Sequence, residues 1–189
     1  NREACKRFTD SLAWPIDILV NNAGLASGVG KIHDADMDDW EVMIDTNIKG
    51  LLYITRFISA SMKERGSGHI INVGSTAGHE AYQGGSVYAG TKYAVRAITE
   101  AAKKDLHGTG VRVSAVSPGM TETEFSKVRF SWDEERAEKV YEGYQPLTPE
   151  DVAEMIHFIA NRPGHVNILD SIIMPTAQSG ATMVYRGEE

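Results

Sequence analysis

The 189 residues predict an α/β protein built on a parallel sheet covered by helices on both faces, and three observations carry that prediction. Short β-branched runs alternate along the chain with longer amphipathic stretches. Each run stops at a turn-forming residue, and the long stretches carry capping residues at their ends. Strand, helix, strand, helix, strand, helix, strand at these spacings fits crossover connections, which are right-handed almost without exception.

The elements follow in order. NREACKRFTDSLAWP (1–15) reads as the end of a helix. IDILVNNAG (16–24) is a short strand closed by a glycine turn. DADMDDWEVMIDTNIKGLLYITRFISASMKERG (34–66) reads as one long helix. Asp36 is its N-cap, Asp39 and Glu41 lie in the first turn, and Lys63 and Arg65 precede Gly66 at its end. GHIINVGS (68–75) is the second strand and SVYAGTKYAVRAITEAAKKDLHGTG (86–110) the second long helix, closed by Lys103, Lys104 and Gly108. VRVSAVSPG (111–119) is a strand stopped by Pro118-Gly119. LTPEDVAEMIHFIANRPG (147–164) is a helix with Thr148 at the N-cap and Pro149 at its first position, and ILDSIIMPT (168–176) is the last strand.

Bulk properties narrow the function. The length suits one domain with a real core. A formal net charge of −7 argues against a nucleic-acid surface. The single cysteine, Cys5, allows no disulfide framework within the chain and fits a reducing, cytoplasmic compartment. No uninterrupted apolar run reaches the roughly 18 residues of a membrane span, and no signal peptide opens the chain. The six histidines show no metal-ligand spacing.

Chemistry concentrates on one rim. In open parallel sheets ligands bind outside the carboxyl ends of the strands. Asn21-Asn22-Ala23-Gly24, Ser75 and Pro118-Gly119 stand at three such ends, and Tyr88 and Lys92 begin the helix that follows the second strand. Tyr88 and Lys92 are one helical turn apart, so they share a face. An ammonium at about 4 Å and an effective dielectric near 20 is worth roughly 4 kcal/mol. That is enough to lower a phenol from about 10 to about 7, the working range of a general acid/base. A Tyr-x-x-x-Lys spacing is weak alone, and its place on this rim is what gives it weight.

With Asn47 in the preceding helix, the set NNAG, Ser75, Tyr88-x-x-x-Lys92 and Pro118-Gly119 resembles the classical short-chain dehydrogenase/reductase family over essentially the whole chain. The stretches IDILVNNAGLA, DTNIKG, GSTAG, TEFSKVRF and LTPEDVAE are similar, more narrowly, to the NADP-dependent 3-hydroxy acid dehydrogenases. The resemblance implies a Rossmann-like doubly wound sheet in a three-layer α/β/α arrangement, one domain over 1–189 with a mobile substrate lid around 120–147. It implies a catalytic tetrad of Asn47, Ser75, Tyr88 and Lys92. Tyr88 is the general acid/base and Ser75 bonds the substrate oxygen. Lys92 lowers the Tyr88 pKa and binds the nicotinamide ribose, and Asn47 holds a water in a proton relay. NADP is the implied cofactor. Asn22, Ala23 and Gly24 meet its adenosine side, Tyr88 and Lys92 its ribose, and Pro118, Gly119, Thr121 and Thr123 its carboxamide and phosphates. For the substrate carboxylate, Arg129 is the candidate bidentate partner, assisted by Gln83 and Gln145.

The family's Gly-rich loop, Thr-Gly-x-x-x-Gly-x-Gly, is not among these residues. About 60 residues of the usual domain are therefore expected before Asn1, and the strand bearing NNAG is expected to be a bare edge because the first strands are lacking. The expected activity is hydride transfer between NADP and a small 3-hydroxy acid such as serine, L-allo-threonine or 3-hydroxyisobutyrate. A carbonyl or diketone reductase with the same machinery, and a cofactor-binding scaffold without turnover, remain as alternatives. A homotetramer or homodimer is implied, with a small-molecule substrate and with neither nucleic acid nor membrane as partner.

Overall fold

The four β-branched runs form four parallel strands in the computed structural model, which describes residues 1–187. They are β1 (Ile18–Asn21), β2 (Gly68–Val73), β3 (Val111–Pro118) and β4 (Asp170–Ile173), hydrogen-bonded in the order β1-β2-β3-β4. The register sets Asn21 opposite Asn72, Val73 opposite Val116, and Pro118 opposite Ile173, so the strands finish at one edge.

The helices sit where the capping residues predict. α1 spans Arg2–Asp10, and the Asn1 side chain accepts from the Ala4 N–H at 2.8 Å. α2 (Met37–Ile44) is capped by Asp36, with Asp38 and Asp39 in its first turn and Glu41 beyond it. α3 (Leu51–Arg65) closes on Gly66 in the left-handed region at φ 71°. α4 (Ser86–Asp105) carries Lys103 and Lys104 in its last turn. Two short helices, α5 (Phe125–Arg129) and α6 (Glu134–Glu138), lie between β3 and α7 (Pro149–Ala160), which opens on a Thr148–Asp151 capping box.

One reading needs correction. The long helix is not uniform: Asp45–Gly50 between α2 and α3 is a π-helical turn. Asp, Thr, Asn and Gly are mediocre helix formers, and a widened i→i+5 turn accommodates them where Asn47 points inward. Helices cover both faces of the sheet, as expected, and the cover thins toward β1. Ile58 and Met62 of α3, with Ala102 of α4, pack on Ile70, Val111 and Val113 on one face. On the other, Ile159 of α7 packs on Ile71 and Val116. α7 lies over β2 and β3, and β1 stays at the sheet edge with Ile18 49% and Val20 38% exposed. No helix among the described residues is long and apolar enough to cross a membrane.

Candidate active site

The chain leaves β2 with Ser75 in extended backbone, and the Ser75 hydroxyl caps the short 3-10 turn that follows by accepting from the Ala77 N–H at 3.1 Å. That turn packs against α4, whose first two turns carry Tyr88 and Lys92. Both are buried, at 8% and 6% exposure. Phe125 of α5 covers Tyr88, ring centroids 5.6 Å apart and tilted 58°.

The electrostatics differ from the one-turn estimate. Lys92 Nζ does not reach for the Tyr88 hydroxyl. It donates to the Val73 carbonyl at 3.0 Å and stands 5.9 Å from the Tyr88 ring centroid. Burial pushes the phenol up to about 12, and the adjacent Ser75 hydroxyl and the Arg129 charge oppose the rise without cancelling it. Burial also pushes the Lys92 ammonium down to about 8. Shared helical spacing brings two side chains onto one face, but the unpaired carbonyl at the end of β2 decides where the longer one ends.

Asn47 is 2% exposed and spends its amide on structure. Oδ1 accepts from the Leu25 N–H at 2.9 Å; Nδ2 donates to the Leu25 carbonyl at 2.8 Å and to Thr91 Oγ1 at 3.0 Å. It thereby ties the loop after β1 to α4. In that loop Asn22, Ala23 and Gly24 are exposed. A Cβ at Gly24 would lie 3.2 Å from Asn47 Oδ1 and 3.4 Å from Lys92 Nζ, so the glycine leaves room beside the ammonium. That bare backbone next to a buried cation leaves room for a dinucleotide cofactor to approach.

At the end of β3 the Gly119 N–H donates to the Ile173 carbonyl at 2.8 Å. Gln178, which sequence reading passed over, accepts from the Met120 N–H at 2.8 Å and donates to the Gly180 carbonyl at 2.9 Å, pinning this turn from behind. Thr121 Oγ1 donates to the Gly119 carbonyl at 3.2 Å, and Thr123 Oγ1 accepts from the Phe125 N–H at 3.1 Å.

The candidate substrate residues separate. Arg129 comes in beside Tyr88, with its guanidinium 5.6 Å from the Tyr82 ring centroid and its Nε buried with no partner among the described residues. Gln83 is exposed in the turn before α4. Gln145 is not brought to Tyr88. It lines a cavity of about 460 Å³ with Tyr144, Leu147, Asp151, Met174 and Tyr185, away from Ser75, Tyr88 and Lys92. The void that Tyr88 lines is only about 20 Å³, bounded by Ser27, Asp39, Trp40 and Gly85. Polar convergence, not volume, marks the chemistry. Among the described residues no group of three or more His, Cys, Asp or Glu is placed to hold a metal.

Known proteins resemble the chain over most of its length. The model of the short chain dehydrogenase family matches residues 2–134. Over 185 residues the chain is 51% identical to the NADP-dependent 3-hydroxy acid dehydrogenase YdfG of Salmonella typhi, covering 96% of this chain and 75% of that protein. It is 46% identical over 181 residues to the NADP-dependent 3-hydroxy acid dehydrogenase of Schizosaccharomyces pombe, covering 96% and 68%. The solved closed form of serine dehydrogenase complexed with NADP+ superposes with a TM-score of 0.94 at 49% identity, covering 100% of this chain and 77% of that one.

Proposed function

The chain belongs to the short-chain dehydrogenase family, and on that premise we propose that it moves a hydride between NADP and a small 3-hydroxy acid of the serine, L-allo-threonine or 3-hydroxyisobutyrate type. The observation that carries this reading is the convergence of Ser75 and the buried Tyr88 and Lys92 on the strand-end rim, with Arg129 beside them.

NADP, when bound, would supply the hydride acceptor for oxidation of the alcohol and, in its reduced form, the hydride donor for reduction of the carbonyl. Asn22, Ala23 and Gly24 would hold its adenosine side, Tyr88 and Lys92 its ribose, and Pro118, Gly119, Thr121 and Thr123 its carboxamide and phosphates. Tyr88 is the general acid/base. A phenol raised to about 12 stays protonated at neutral pH, ready to give its proton to a carbonyl oxygen. In oxidation Tyr88 takes the alcohol proton and passes its own onward. Lys92, with a pKa of about 8, exchanges protons near neutrality and suits that relay. The Asn47 amide is committed to Leu25 and Thr91, so Asn47 serves the relay through the backbone of its π-helical turn rather than through its side chain. Ser75 donates to the substrate oxygen and stabilises charge developing there, an effect commonly worth a few kcal/mol.

Residues 120–147 act as the substrate lid of a single domain, and the return of this segment beside its start, Thr121 bridging to Leu147, supports that reading. Arg129 grips the substrate carboxylate. We place the enzyme in the cytoplasm, which the free Cys5 supports, and as a homotetramer or homodimer, which exposed Val42, Leu52 and Tyr93 on α2, α3 and α4 support.

The test is NADP-dependent oxidation by the full-length protein of L-serine, L-allo-threonine and 3-hydroxyisobutyrate beside neutral secondary alcohols. Turnover of the acids is expected, and Arg129→Ala is expected to raise their KM at least tenfold, the loss of about one charge-assisted hydrogen bond. Turnover confined to neutral alcohols would discard the substrate class.

A further inference from the structure

Arg129 ends the short helix α5, and both its main chain and its guanidinium are held. Its backbone carbonyl accepts from the Gly28 N–H at 3.1 Å, which fixes the main chain to the loop after β1. The side chain is fixed by a ring instead of a carboxylate: no ion pair to Arg129 exists among the described residues, and its guanidinium stands 5.6 Å from the Tyr82 centroid. Tyr82 is itself seated. A Cβ at Gly85 would lie 2.4 Å from Tyr82 Cε2 and 2.5 Å from its Cζ, so the ring occupies the space where any other residue would carry a side chain. The Gly85 N–H donates to the Tyr82 carbonyl at 3.1 Å, and the ring packs against the cluster of Ala26, Met43, Ala77 and Tyr88. The result is an arginine held by its face, with Nε buried and its hydrogen unspent.

We propose that Tyr82 is a specificity-determining positioning residue. Its ring, lodged against Gly85, holds the Arg129 guanidinium by a cation–π contact and leaves the fork free for the carboxylate of a 3-hydroxy acid substrate. An acidic partner in place of Tyr82 would hold the arginine equally well but would occupy the same donors and repel the substrate. This inference rests on the reading of Arg129 as the carboxylate grip.

The experiment measures competitive inhibition of the full-length enzyme by propionate and by propionamide, which match in shape and differ in charge, with kcat and KM for L-serine. Wild type, Arg129→Ala, Tyr82→Phe, Tyr82→Leu and Tyr82→Met are compared. Tyr82→Phe keeps the ring and is expected to behave as wild type. Tyr82→Leu and Tyr82→Met are expected to raise the propionate Ki and the serine KM about tenfold, with kcat and the propionamide Ki within about twofold. Two results overturn the proposal: equal weakening of propionate and propionamide in the Leu and Met variants, or loss of acid selectivity in Tyr82→Phe. If Arg129→Ala weakens both inhibitors alike, the carboxylate grip itself is wrong and the role of Tyr82 falls with it. If Arg129→Ala is selective and neither Leu nor Met variant is, the grip stands and only Tyr82 is excluded.

Discussion

The strand-end rim and the segment 120–147 meet at Tyr88, and they are held together in opposite ways. On the rim the polar side chains are buried and multiply bonded: Asn47 makes three hydrogen bonds, and Lys92 is locked on the end of β2. Across from it, two five-residue helices are joined by an exposed Lys127–Glu134 ion pair at 3.6 Å, and the Tyr141 hydroxyl ties Ser126 at 2.7 Å to the Thr121 carbonyl at 2.9 Å. Ser131 and Trp132 there adopt positive φ, and Trp132 is 61% exposed. On the proposed function, the contrast separates two tasks. Proton transfer needs groups fixed to fractions of an ångström, which only packed secondary structure supplies, whereas choosing a substrate needs a surface that opens and closes.

Substitutions on the rim are therefore expected to cost stability or turnover, and substitutions in the segment to change KM alone. The largest stability effect is expected for Asn47→Leu. It leaves the Leu25 N–H and carbonyl without partners, so a loss of about 3 kcal/mol or more is expected in denaturant unfolding. Gln145→Ala, exposed in the segment, is expected to stay within about 0.5 kcal/mol of wild type. Equal losses would erase the contrast.

Next in size is a pH signature of the two buried groups. Between about 8, the folded pKa of Lys92, and 10.5, its unfolded value, the unfolded chain holds a proton the folded chain has shed, so stability rises with pH. Tyr88 acts oppositely. Its folded pKa of about 12 lies above the unfolded 10.0, so stability falls as pH climbs from 10 toward 12. Thermal unfolding of the wild type is expected to show extra stabilisation from pH 8 to 10 that Lys92→Met lacks; an identical slope in that variant would mean Lys92 is not desolvated.

A small effect of opposite sign is expected for Trp132→Gly. Its φ of 67° costs an L-residue roughly 1–2 kcal/mol, so glycine is expected to be neutral or stabilising by up to about 1 kcal/mol, read as an unchanged or slightly raised Tm. A clear destabilisation would show that the exposed indole holds the segment down.

Much of this contrast was readable in the residues. The strands, the caps at Asp36, Thr148 and Gly66, and the rim of Ser75, Tyr88, Lys92 and Pro118-Gly119 follow from local rules of period, capping and turn chemistry. What escaped depends on neighbours distant in sequence. The π-helical turn answers to Leu25, 22 residues before Asn47. The direction of Lys92 was set by a carbonyl on another strand, and with it the sign of the Tyr88 shift, because burial by Phe125 outweighs a cation that points elsewhere. Gln178 carried no local signal at all, since its partner Met120 lies 58 residues away. Tyr82 had a faint one, an aromatic ahead of a Gly84-Gly85 pair, meaningful only once Arg129 stands over it.

The central claim of the proposed function is that the Tyr88 hydroxyl moves the proton, while its contact with the ribose is one of several that hold the cofactor. The most direct measurement is kcat of Tyr88→Phe in the full-length protein, taken with its NADPH Kd by fluorescence. A fall in kcat of about 10²–10⁴-fold with Kd within a few-fold of wild type is the expected result. Retained turnover with NADPH bound as tightly as before would contradict it.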